Sequence, residues 1–152
     1  MRRRTVLGFG MAGLSVLALL GIRARTDGGI ATALRHLDAA RRAAHLPPLM
    51  HRPALVAMAR RQARHMEAMG TTTHLGADGS DPAVRARQAG YAGRVLGEGP
   101  AETHDGPTET VALWLAYGPT REVLLDPAAR ELGLVMHRGT DGRMWWDLVT
   151  GA

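Results

Sequence analysis

"ELGLVMHRGTDGRMWWDLVTG", Glu131 to Gly151, is the stretch that decides the fold. Two apolar-rich runs flank a tight "GTDG" segment, the pattern of an antiparallel hairpin. Trp145 and Trp146 are neighbours in the second run, and adjacent strand residues point to opposite faces of a sheet. One tryptophan is therefore expected in the core and the other toward the rim of a surface or cleft.

Upstream of the hairpin the chain reads mainly as helices. Arg121 to Leu125 predicts a short helical turn. "GPT" separates it from an amphipathic segment, Thr108 to Tyr117, that carries Val111, Leu113, Trp114 and Tyr117. Asp81-Pro82 forms a cap and first-turn pair for a short helix to about Gln88, which Gly90 stops. A longer helix should start near Pro53 and run to about Met69, with Leu55, Ala59, Ala63 and Met66 on one face and Arg60, Arg61 and Arg64 mostly off it. Before that, Ile30, Leu34, Leu37 and Ala44 recur at helical spacing between a break at "DGG" (27–29) and a stop at "LPPL" (46–49). Val95 and Leu96 predict a short strand. Three or four helices with a late antiparallel sheet indicate an α+β domain.

Composition then removes several chemistries. The chain of 152 residues holds no Cys, no Lys and no Asn. There is thus no thiolate nucleophile, disulfide framework, Schiff-base lysine or phosphate-loop lysine. Ser80 is the one serine outside the leader, and "DGSDP" lacks the strand-to-helix elbow of a serine hydrolase. The net charge of +5 resides at the N-terminus: five of the 19 arginines precede Thr26, leaving 14 against 14 acidic residues. A neutral body gives no footprint for nucleic acid. The arginine-rich second helix could meet anionic envelope polymers, although such a face is usually just solvated.

Residues 1–25 have the three-part layout of an export signal: a basic start, an apolar run from Val6 to Ile22, then charge again. Arg3, Arg4, Thr5, Val6 and Leu7 match a twin-arginine pattern. The run is short for a membrane span, and Ile22-Arg23-Ala24 is a poor cleavage site, so a cleaved signal and a retained anchor both stay open. Localisation is expected to be periplasmic, extracellular or membrane-tethered, with membrane contact only through this segment. Residues 26–33 read as a linker into the first helix.

Within "GRVLGEGPAETHDG", Gly93 to Gly106, a carboxylate sits between two glycines. Flanking glycines suggest a backbone held in an unusual shape around Glu98; a plain surface turn is the alternative. His104 follows six positions later.

"LDAARRAAHLPPLMHRPALVAMARRQARHM", "THLG", "RARQAGYAG", "LGEG", "ALWLAYGPTREVLLDPAARELGLVM" and "GRMWWDLVTG" occur in that order. Together they resemble the CAP superfamily in its bacterial SCP-like, cysteine-free form, whose other members include cysteine-rich secretory and plant pathogenesis-related proteins. The resemblance spans residues 34–151. It implies an α-β-α sandwich of three to four helices around a small antiparallel sheet, and a cleft lined by two histidines and one or two acids that binds zinc or another divalent ion in some members. His74 falls on the first family histidine and Glu98 on the acid of the Gly-Glu-Asn motif. Gly99 replaces the family Asn, Thr120 replaces the second histidine, Arg121 is kept, and Tyr117 falls where relatives have a second carboxylate.

A cleft of His74, Glu98, Thr120 and Arg121 is the expectation. A metal such as zinc would need His104 to swing in beside His74 and Glu98, or a bridging water, since a catalytic zinc usually has three protein ligands and threonine is a poor one. Otherwise a His74–Glu98 hydrogen bond fixes the cleft floor and Thr120 completes a polar network. His36, His45, His51, His65 and His137 read as solvated or structural. The reduced ligand set favours an exported, non-enzymatic module that binds a small ligand, lipid, peptide or cell-wall fragment. Two alternatives are a hydrolase with Glu98 as general base and His74 positioning a metal or water, and a structural envelope protein anchored through Trp145 or Trp146.

Overall fold

The computed structural model describes the backbone of residues 13–152 and the side chains from residue 28 onward. Its elements are α1 (Gly13–Ala43), β1 (Met50–His51), α2 (Pro53–Met69), α3 (Pro82–Gln88), β2 (Val95–Thr103), α4 (Pro107–Ala116), α5 (Gly118–Leu124), β3 (Glu131–Arg138) and β4 (Met144–Gly151). The sheet order is β1-β3-β4-β2, with β4 antiparallel to both neighbours and β1 parallel to β3. This is an α+β fold of five helices and a mixed four-stranded sheet.

Strand alternation organises the rest. Trp145 and Val149, with Val135 of β3, face a layer of Leu55, Met58, Ala63 and Met66 from α2 and Ala86 from α3. Trp146 and Leu148, with Leu132 and Leu134 of β3, face Ala33 and Leu37 of α1, Val111 and Trp114 of α4, and Leu124 of α5. Both tryptophans are fully buried, so neither reaches a rim or a partner. The expectation of one surface tryptophan fails because helices cover both faces of the sheet.

Helix ends follow local chemistry. α2 starts on Pro53 and ends at Gly70, whose φ of 67° is left-handed. The Asp81 side chain accepts from the Val84 amide at the start of α3. α1, however, does not begin after "DGG": it continues through Asp27, Gly28 and Gly29. A helical glycine costs only about 1 kcal/mol against alanine, too little to force a break. The leader reading falls partly on residues 1–12, which lie outside the described residues. Among the described residues no helix is long and apolar enough to cross a membrane.

β2 also corrects the sequence reading, since it runs from Val95 through "GEGPAET" rather than ending at Leu96. Pro100 is tolerated because β2 is an edge strand. Gly97 and Gly99 are not left-handed; the positive-φ glycines of the described chain are 70, 79, 90 and 142. Their role is close approach. A Cβ on Gly97 would lie 2.5 Å from Val123 Cγ2, and one on Gly99 2.6 Å from Thr120 Cγ2, so the two glycines let α5 seat directly on the strand.

The same constraint operates at Gly133, where a Cβ would lie 2.3 Å from the carbonyl carbon of Leu55. Because backbone cannot move aside as a flexible side chain can, Gly133→Ala should cost about 1–3 kcal/mol of stability or more. Gly28, helical with open space around it, is the contrast: Gly28→Ala should gain about 0.5–1 kcal/mol. Urea denaturation of the two variants checks both signs.

Candidate functional site

Three elements assemble around Glu98. It lies on β2 opposite Val149 and so on the α2–α3 face of the sheet. α3 projects Arg85 beneath the α2–α3 loop, where Arg85 Nη2 donates to the His74 carbonyl at 2.7 Å. From α2, the Gln62 amide donates to the Thr73 and Leu75 carbonyls at 2.6 and 3.1 Å. These bonds clamp the backbone on either side of His74. Gly76 leaves room for the arginine, since a Cβ there would meet Arg85 Cδ at 2.8 Å.

Both carboxylate oxygens of Glu98 are taken. Oε2 lies 2.8 Å from His74 Nδ1 and Oε1 accepts from Arg85 Nη2 at 2.8 Å. The Glu98 side chain is 1% exposed and that of His74 60%, so a buried anion touches solvent only through an imidazole. The pairing with a guanidinium allows the charge to stay buried. His74 and Glu98 are therefore brought together as expected.

Asp147, unmarked in the sequence, belongs to this cluster. It stands on β4 opposite Pro100, on the same sheet face as Glu98 and two residues from the Val149 that faces Glu98. Asp147 is fully buried, and neither of its oxygens has a hydrogen-bond partner among the described residues. Burial foremost, then the neighbouring Glu98 charge, push its carboxyl well above the usual range, with Arg85 pulling the other way. The sequence did carry a signal: "WWDLVT" is a central strand, and in a sheet covered on both faces every position of such a strand is interior.

A groove of about 770 Å³ runs along β2. Gly97, Glu98, Pro100 and Glu102 form one part of its wall, Thr72 and His74 stand to one side, and Leu113, Tyr117, Pro119 and Thr120 to the other. Leu113 and Tyr117 are 52% and 61% exposed, an apolar lip over a polar base. Trp114 lines the groove but is mainly core, packed edge-on against Trp146 with centroids 6.1 Å apart.

The other expected residues separate. Thr120 lines the groove, yet among the described residues no hydrogen bond joins it to His74 or Glu98; its methyl group covers Gly99. Arg121 is outside the groove, and its Nη1 donates to the Leu115 carbonyl at 3.3 Å. His104 is exposed beyond the far end of β2, and at roughly 3.3 Å per strand residue about 20 Å separates it from Glu98. Among the described residues no three His, Asp or Glu side chains form a metal-ligand group. Elsewhere, His36 Nε2 lies 3.0 Å from Thr108 Oγ1 and His137 Nε2 2.5 Å from Glu67 Oε2, which ties helices and sheet together.

Asp147 has a pH signature. A carboxyl whose folded pKa exceeds its unfolded value makes the folded state hold the extra proton, so its contribution is intact below about pH 4 and is lost as pH rises toward the folded value. Asp147→Asn should therefore lose less stability than wild type between about pH 4 and pH 8. Denaturation midpoints across that range test this, and parallel curves for the two proteins would contradict it.

Comparison with known proteins agrees with the architecture. An outer surface protein of Borrelia burgdorferi superposes with a TM-score of 0.75 at 18% identity, covering 82% of this chain and 92% of that one. An extracellular SCP-domain protein of Bacillus anthracis gives 0.64 at 16%, over 82% of this chain and 41% of that one. A cysteine-rich secretory protein of Staphylococcus aureus gives 0.61 at 16%, over 83% and 38%. The chain thus spans about two-fifths of the last two proteins. The search of curated proteins gives no match. Residues 34–149 match the profile of CAP, the cysteine-rich secretory protein family, and with the same sandwich in solved relatives the chain belongs to that family.

Proposed function

We propose that this CAP-domain chain is exported and that its β2 groove binds a small ligand or polymer segment of the cell envelope without turning it over. The observation that carries this reading is the double engagement of Glu98. With one oxygen on His74 and the other on Arg85, it is a fixed acceptor in the groove wall rather than a free general base. The groove volume lies in the range of ordinary ligand sites, and the exposed Leu113 and Tyr117 offer apolar contact. Export is supported by the leader and by the surface or extracellular description of the similar structures.

An acid–base hydrolase would pair Glu98 with Asp147, the second carboxyl of the cluster. Both side chains are buried, Asp147 completely, which does not suit proton exchange with a substrate. Trp145 and Trp146, buried in the two cores, cannot anchor an envelope partner.

The donor set fits a divalent metal poorly. Arg85 already supplies the positive charge beside Glu98, and Thr120 brings only a neutral hydroxyl to the groove. Zinc at micromolar concentration should leave the melting temperature unchanged. A rise that disappears in His74→Ala would overturn the metal-free reading.

Binding is tested by incubating the full-length chain with a solubilised envelope extract and identifying retained species by mass spectrometry. Leu113→Glu, at an exposed groove position, should abolish retention while leaving the fold intact. Equal recovery by both proteins, or none by either, would reject the groove as the binding site.

A further inference from the structure

We propose, resting on the groove reading above, that the occupant of the β2 groove is an extended peptide segment that joins the sheet as a further strand. The two edges of the sheet differ. β1, at one edge, is two residues long and offers almost nothing to pair with, whereas β2, at the other, runs for nine. Hydrogen bonds fix which backbone groups of β2 face outward. The Leu132 carbonyl accepts from the Arg52 amide on the β1 side, and the Gly139 amide donates to the Arg143 carbonyl at the hairpin. Even-numbered residues of β3 therefore turn to β1 and odd-numbered ones to β4. Through the pairs Val135–Asp147 and Gly99–Leu148, β4 turns Asp147 to β3 and Leu148 to β2. Gly99, Ala101 and Thr103 thus bond to β4, while Glu98, Pro100 and Glu102 point their backbone groups away from the sheet. Pro100, which has no N–H, falls in the outward set, where an edge strand tolerates it. The outward amides of Glu98 and Glu102 and the carbonyls of all three residues have no backbone partner among the described residues.

This unpaired edge lies along the groove floor, and its chemistry selects the occupant. Gly97 to Glu102 spans about 17 Å at roughly 3.3 Å per residue, room for five or six extended residues. A peptide backbone repeats donors and acceptors at the spacing of the outward groups; a lipid or sugar chain does not, and would leave them unpaired. Pairing requires approach to about 4.8 Å, between Thr72 and His74 on one side and Leu113 and Tyr117 on the other. A single extended chain passes between these walls, whereas a second folded copy brings walls of its own. Strand alternation then sets the side chains. Residues opposite Glu98, Pro100 and Glu102 place theirs on the His74 side, and the intervening residues place theirs against the exposed Leu113 and Tyr117. Glu98 and Glu102 are already paired with Arg85 and Arg143, so the polar positions call for neutral hydroxyl side chains rather than charge. The fitting segment alternates hydroxyl and apolar residues.

The test uses the full-length chain and a capped hexapeptide of alternating threonine and valine, carrying a polyethylene glycol tail for solubility, in isothermal titration. Alternate amides of a strand face one neighbour, so only one set of the peptide's N–H groups meets β2. Two analogues, N-methylated on the threonine amides or on the valine amides, should separate: one binds like the parent and the other at least about tenfold more weakly. Amide hydrogen exchange should slow at Glu98 and Glu102 when the parent peptide binds. Glu102→Pro, which deletes one outward donor, should weaken binding by about fivefold, more than Glu102→Ala, which keeps it. Equal affinity of the two analogues, or unchanged exchange at Glu98 and Glu102, would overturn strand addition. Slow exchange at both residues without peptide, in a chain that sediments as a dimer, would put a second copy on β2 and overturn it too. If the groove retains envelope species while no peptide binds, strand addition falls and the groove reading stands; if neither binds, both fall.

Discussion

The structure depends on one constraint, the burial of both faces of β4. Trp145 and Trp146 point in opposite directions and both leave solvent entirely, which requires a helical layer on each side of the sheet. α2 and α3 supply one layer; α1, α4 and α5 supply the other. Glycines set how closely these layers approach: α2 backbone lies against Gly133, and α5 lies against Gly97 and Gly99. The edge strand β2 then has its two faces turned to different helices, and the groove forms where these helices diverge.

The same geometry explains the charge cluster. Covering the α2–α3 face puts Glu98 and Asp147 in a medium that disfavours two anions, while α3 delivers one guanidinium. One carboxylate engaged by Arg85 and one carboxyl pushed well above its usual pKa range answer that constraint. His74 is the single member of the cluster with substantial exposure, and it couples the buried charge to the groove.

The two departures from the family pattern are physically linked. The resemblance puts Gly99 where the family has Asn and Thr120 where it has the second histidine, and in the fold the Thr120 methyl occupies the space that a Cβ on residue 99 would need. A bulkier residue at 99 would force α5 away, so a small residue on the strand accompanies a short one on the helix. The sequence shows each substitution separately; their contact crosses 21 residues and is invisible to local pattern.

Sequence alone determined what depends on near neighbours. The Pro53 start of α2, the Asp81 cap, the hairpin and the His74–Glu98 pairing implied by the family resemblance were all legible, because caps and turns are set within a few residues and ordered motifs identify the fold. Tertiary structure alone decided what depends on distant packing. It extended α1 through the glycines and β2 through Pro100, moved Arg121 and His104 away from the cleft, buried both tryptophans, and placed Asp147 beside Glu98. The physical reason is that the environment of a side chain is fixed by which face it occupies and what covers that face. In this chain the covering helices lie tens of residues away.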